Sequence, residues 1–210
     1  MTTAVRQLVF TTHVTSSVGW VGAVLVFLAL AVVGLTSQHE PTVRGAYLIM
    51  APAAWFVLVP LAHASLLSGV AISLGTPWGL FRHYWVVSKL AITLFATIIL
   101  LIYMGTFRQM AGVAADPIVE LGLVRNPSPM VHAILALILL LLATVLGVYK
   151  PFGMTEYGRR QQDARQVAQR NPLQNSKPVE TPRWIYFAWI VGLVVLFIAA
   201  HLIGGHFGAH

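Results

Sequence analysis

Long runs without charge decide what this chain can become. No Lys, Arg, Asp or Glu occurs in 7–39, 45–81, 90–107, 126–149 or 184–210, and each run is dominated by Leu, Val, Ile, Ala and Phe. A bilayer's hydrocarbon core is about 30 Å thick, and a helix rising 1.5 Å per residue crosses it with about 20 residues. Each run is long enough. In water the same chain would have no way to cover itself: 9% of its residues are charged, against about 25% in soluble domains. The expectation is an all-α integral membrane bundle, one domain over residues 1–210, with five transmembrane helices at about 6–35, 44–74, 81–107, 129–149 and 184–203. The first run is longer than a signal-peptide core and lacks a small-x-small cleavage site, so it reads as a retained helix.

Charge placement sets the expected orientation. Arg6, Arg82, Lys89, Lys150, Arg159, Arg160, Arg165, Arg170, Lys177 and Arg183 fall on one side, and only Arg44, Arg108 and Arg125 on the other. Short loops rich in Lys and Arg stay inside. The N-terminus is therefore expected in the cytoplasm and the C-terminus outside, in a cell inner (plasma) membrane crossed several times. The basic balance then reflects topology and the lipid bilayer as partner, and no nucleic acid is implied. The loop 150–183 is expected to be a basic cytoplasmic connector drawn to anionic head groups, helical around 157–169. Pro52 and Pro60 each remove a helix hydrogen bond, so the second span is expected to kink near His63.

With no Cys in the chain, thiolate metal sites and a Cys nucleophile are excluded, and a metal or cofactor must be held by His, Met, Lys or carboxylate. The acidic residues lie in loops, which argues against a carboxylate relay across the bilayer. No Gly-rich phosphate loop occurs.

Ionisable side chains inside apolar spans cost several kcal/mol, about 2.5–3.5 on insertion scales, and so mark function. His13, His63 and His83 lie toward the cytoplasmic side of their spans; His132 and His201 lie toward the outer side, as do His39, His206 and His210. His13 with His63 and His132 with His201 form pairs at matched depth. Paired imidazoles on different helices at one depth are what a six-coordinate haem iron needs. Small residues near these histidines, Ser16 and Ser17 by His13, Ala136 by His132, Gly204 and Gly205 by His201, leave room for a flat macrocycle, and Trp20 shares the His13 face. Arg82, His83 and Lys89 would then face its propionates. Lys89 admits three readings: snorkelling to the head groups, counter-charge to a propionate or anionic substrate, or amine ligand to the iron. Met50, Met104, Met110 and Met130 cluster near outer span ends beside His132 and His39, a soft set suited to copper, although Met in apolar helices more often packs.

Two stretches carry a resemblance. His13-V-T-S-S-V-G-Trp20-V-Gly22 resembles the first-helix signature of the membrane-embedded, haem-containing protoporphyrinogen oxidase family, in which that His is a haem ligand. Trp85-V-V-S-Lys89 looks like that family's W-x-x-x-K element, whose Lys is functionally important. The stretch SGVAISLGTPWGLFRHYWVVSKLAIT is similar to the copper resistance D family. The resemblance spans roughly residues 8–107. It implies a helical bundle that binds haem b.

Together these readings lead to a membrane b-type haem protein in electron transfer or a membrane redox reaction. Its iron ligands are expected to be His13 and His63, with a second haem on His132 and His201. The alternatives are a copper-handling transporter of the copper resistance D type, and a non-catalytic subunit of a larger membrane complex or homo-oligomer.

Overall fold

The computed structural model describes residues 2–76, 79–150 and 153–169. The expected fifth span, 184–203, and with it His201, His206 and His210, lies outside the described residues. What is described is helical: α1 (Thr3–Thr36), α2 (Glu40–Ala53), α3 (Val59–Gly75), α4 (Tyr84–Ala115), the single turn α5 (Leu121–Val124), α6 (Ser128–Tyr149) and α7 (Glu156–Gln169). A β-bridge between His83 and Met154 joins two loops. Four stretches are long and apolar enough to cross a membrane: α1, the run Glu40–Gly75 formed by α2 and α3, α4, and Leu121–Tyr149.

The boundaries follow from local chemistry. Thr2 accepts the Val5 N–H and caps α1, and Pro41 sits in the first turn of α2, where its missing N–H costs nothing. α4 runs past the expected 107 to Ala115 and stops at Asp116, which precedes Pro117 and is held extended at φ −82°, ψ 113°. Between Pro52 and Pro60 the helix widens into one π-helical turn, Ala54–Leu58, in which the Val59 N–H reaches the Ala54 carbonyl. The irregularity thus lies between the two prolines, on the N-terminal side of His63. The helix expected around 157–169 is present as α7.

Antiparallel neighbours build the bundle, with α1 against α3 and α6, α2 against α4, and α4 against α6. Its outside is as apolar as its inside: Leu8, Val18, Phe56, Leu67 and Ile102 are each more than half exposed, a surface suited to lipid. The interior is distinguished by small residues, Ala31, Ala54, Ala62, Ala96 and Ala133, and by the buried hydroxyls of Ser16, Ser65, Ser68, Thr93 and Thr97. That is how helices approach closely when solvent offers no hydrophobic drive between them.

The ends where α1 and α4 finish are held by arginines. Arg125 donates to the carbonyls of Gly34, Leu35 and Ser37. Arg44 pairs with Glu40 at 2.8 Å and donates to the carbonyls of Asp116 (2.8 Å) and Val119 (2.7 Å). Tyr47, fully buried, donates to the Asn126 carbonyl at 3.0 Å and accepts from the Asn126 N–H at 2.9 Å. The opposite end, where α3 finishes and α4 begins, contains the candidate site.

Candidate functional site

On α1, His13, Ser16, Ser17 and Trp20 recur at helical spacing and turn inward, Ser16 and Trp20 fully buried and the other two half-buried. They meet Ser65, Ser68 and Gly69, which form one face of α3. Ser17 Oγ lies 2.8 Å from Ser65 Oγ. His13 Nδ1 lies 3.0 Å from the Ser65 carbonyl oxygen and 3.2 Å from Ser68 Oγ. A carbonyl oxygen can only accept, so Nδ1 carries the proton and Nε2 presents its lone pair. That lone pair faces Lys89 of α4, whose Nζ is 3.3 Å away.

Two glycines make this approach possible. A Cβ at Gly69 would stand 3.1 Å from His13 Cε1, and one at Gly147 of α6 would stand 3.2 Å from Lys89 Nζ. Beside the pair opens a cavity of about 320 Å³, lined by His13, Lys89, Trp85 and Lys150 among apolar residues such as Leu66, Ile72 and Leu90. On the other side of Lys89 a chamber of about 20 Å³ is lined by Ser17, Ser65, Thr93 and Thr144 as well as Trp20. That volume suffices for one water. Lys89 therefore stands between a ligand-sized space and a water-sized one.

The other residues singled out in the sequence are dispersed. His63 bonds through Nδ1 to the Val59 carbonyl of its own helix at 2.8 Å. The antiparallel register sets Gly19 against Leu61 and Ser17 against Ser65, so His13 is level with residues 65–69, about one turn from His63. His63 also points roughly 160° away round α3 from that face, at 100° per residue. The structure brings His13 to Lys89, not to His63. His83 is buried as the residue before α4, 6.4 Å from the Trp85 ring. Arg82 lies in the preceding loop, where its carbonyl accepts the Thr155 N–H at 2.9 Å.

His132 is in a separate place, buried toward the Arg125 end. Its ring stacks on Tyr103 at 4.0 Å, and Nδ1 bonds the Ser128 carbonyl at 2.9 Å. Its expected partner His201 lies outside the described residues. Of the methionines, Met50, Met104 and Met110 are buried in the main apolar core and Met130 packs against it, while His39 is exposed and bonds Thr42. Among the described residues no three His, Asp or Glu side chains gather in one place.

Sequence reasoning missed Ser65, Ser68, Gly69 and Gly147. A signal existed for the first three: small and polar residues at positions i, i+3 and i+4 inside an apolar run mark the face of a span that meets another helix. Neither a protein-family model, nor a curated protein, nor a solved structure matches this chain.

Proposed function

We propose that this is a membrane-embedded b-type haem protein, acting in electron transfer or another membrane redox reaction, with His13 as iron ligand. The observation that carries this is the bond from His13 Nδ1–H to the Ser65 carbonyl. Histidines that ligate metals characteristically donate their other ring N–H to a carbonyl or carboxylate, which fixes the tautomer and raises the basicity of the ligating nitrogen. Here the bond crosses between helices, so the ring is held by the bundle rather than by its own turn.

The surroundings support this reading. The Lys89 amine is the second nitrogen at the same cavity and would be the candidate second ligand in place of His63. At about 320 Å³ the cavity falls within the range of small-molecule sites, about 300–1,000 Å³. Trp85 and the aliphatic residues give it an apolar wall for a flat ring, and Gly69 and Gly147 keep side chains out of the approach. When bound, a haem supplies one-electron redox chemistry. The chain's own share would be to orient the imidazole through Ser65, to keep water out with Leu66, Ile72 and Leu90, and to hold the Lys89 amine at the wall of the same cavity. The Lys and Arg gathered at this end support its placement in the cytoplasmic half of the membrane.

The test is an absorption spectrum, oxidised and dithionite-reduced, of protein purified in detergent from cells supplied with haem. Wild type should show a Soret band with sharp reduced α and β bands. His13→Ala should lose it, Lys89→Leu should shift it to a high-spin form, and His63→Ala should leave it unchanged. Absence of porphyrin absorbance in wild type would reject the proposal.

A further inference from the structure

The cavity beside His13 has polar groups at its mouth that iron ligation does not use. Thr76 follows the last turn of α3 with an extended backbone, φ −122°, ψ 161°. Its Oγ1 is buried in the cavity wall and has no hydrogen-bond partner, alone in this among the side chains of the described residues. A buried hydroxyl left unmatched forfeits its hydration without return, so it marks a place where a ligand or water completes the bonding.

On the same cavity lining, Lys150 ends α6 in the left-handed region, φ 47°, ψ 51°, with its N–H bonded to the Leu146 carbonyl at 3.1 Å. Only this non-glycine residue among those described has positive φ. The turn lays its ammonium 5.9 Å from the centre of the Trp85 ring, on the cavity lining. One helical turn deeper along α4 from Trp85 is Lys89. Among the described residues no carboxylate lines this cavity. Its mouth is thus cationic and hydroxylic, and the rest of the lining is mainly apolar, with the His13–Lys89 pair and the hydroxyls of Ser73 and Thr93 as its polar groups.

We infer that the mouth is a subsite for an acid group, carboxylate or phosphate, carried at the end of an apolar ligand and held by the Lys150 ammonium and the Thr76 hydroxyl. An ammonium and a hydroxyl donor together satisfy an anionic oxygen better than water does at a half-desolvated site. Two sources present this chemistry. One is the pair of carboxylate arms of a haem in the cavity, which rests on the function proposed above. The other is the head group of an anionic phospholipid reaching in from the membrane.

The experiment titrates hemin and hemin dimethyl ester, whose acid arms are blocked, into protein in phosphatidylcholine nanodiscs, for wild type, Lys150→Met and Thr76→Val. Wild type should bind hemin roughly tenfold more tightly than the ester, as expected for one charge-assisted contact. Both variants should reduce that preference to under about twofold while keeping the ester affinity of wild type. If phosphatidylglycerol in the disc weakens hemin binding by wild type but not by Lys150→Met, the head group uses the same subsite. Equal binding of hemin and ester by wild type, or a preference that survives in Lys150→Met, overturns the porphyrin source. If wild type binds neither porphyrin, the proposed haem function fails, and phosphatidylglycerol retention read by native mass spectrometry decides the subsite alone. Retention by wild type but not by Lys150→Met upholds it; equal retention overturns it.

Discussion

His13 Nε2 and Lys89 Nζ, 76 positions apart in the chain, lie 3.3 Å from one another between α1 and α4. The imidazole gives its proton to Ser65 and receives one from the amine, so one ring ties three helices together. Removing either partner leaves the other half-buried without its contact, and the two losses should overlap. In denaturant unfolding of the haem-free protein, His13→Ala and Lys89→Met should each cost about 1–2 kcal/mol, and the double variant should cost about 1 kcal/mol less than their sum. Additivity to within about 0.3 kcal/mol would show that the contact carries no energy.

Gly69 and Gly147 act through the space they leave. Gly69→Ala presses on the His13 ring and Gly147→Ala on the Lys89 ammonium, each at a distance where the neighbour must move by a few tenths of an ångström. Under the proposed function, haem retained per chain should fall several-fold in both variants with the helical content intact. Gly45→Ala, whose Cβ would meet nothing within 4 Å, serves as the control and should retain wild-type haem. Wild-type retention in the first two would mean that the pair tolerates displacement.

At the other end of the bundle, Arg125 closes the C-terminus of α1 by donating to three of its orphan carbonyls, with Ser37 O at 2.6 Å. Arg125→Met should lower stability by about 2–4 kcal/mol, because hydrogen bonds to a charged donor are the stronger kind. Arg125→Lys should restore only part, since a point ammonium cannot span the positions that a guanidinium fork reaches. Thermal unfolding in detergent measures both. The absorption spectrum of folded Arg125→Met should remain that of wild type, since the proposed haem site lies at the opposite end.

α7 is docked through Gly158. The Thr155 N–H donates to the Arg82 carbonyl at 2.9 Å, and Thr155 Oγ1 donates to Phe81 O at 2.6 Å. This brings Gly158 so near that a Cβ there would fall on the Arg82 carbonyl oxygen. Gly158→Ala should undock α7, read as several-fold faster limited proteolysis between 150 and 183, with haem absorbance unchanged. Equal cleavage rates in variant and wild type would show that docking survives the added methyl.

Much of this was legible in the chain itself. The uncharged runs placed four spans to within a few residues at most ends. They failed at 107, where only the Asp116–Pro117 step, several residues on, could stop a helix. The polar residues at the site were also visible, because His13, Ser17, Trp20 and Lys89 stand out against hydrocarbon. Their depth was readable as well, since position along a span converts directly into distance from its end. Their partners were not. His63 was chosen for depth, and it stands about a turn away and on another face of α3, while Ser65, Ser68 and Gly69 went unremarked.

The physical reason is the lipid. In water, an amphipathic stripe tells which side of a helix faces the core. Here Leu8, Val18 and Leu67 face outward as fully as Val24, Phe27 and Leu58 face inward, so hydrophobicity carries almost no direction round the helix. Sequence alone therefore determined which segments are helices, how deep they lie and where polar groups occur along them. Only the tertiary packing of α1, α3, α4 and α6 decided which of those groups face one another, because that depends on the rotation of each helix about its own axis.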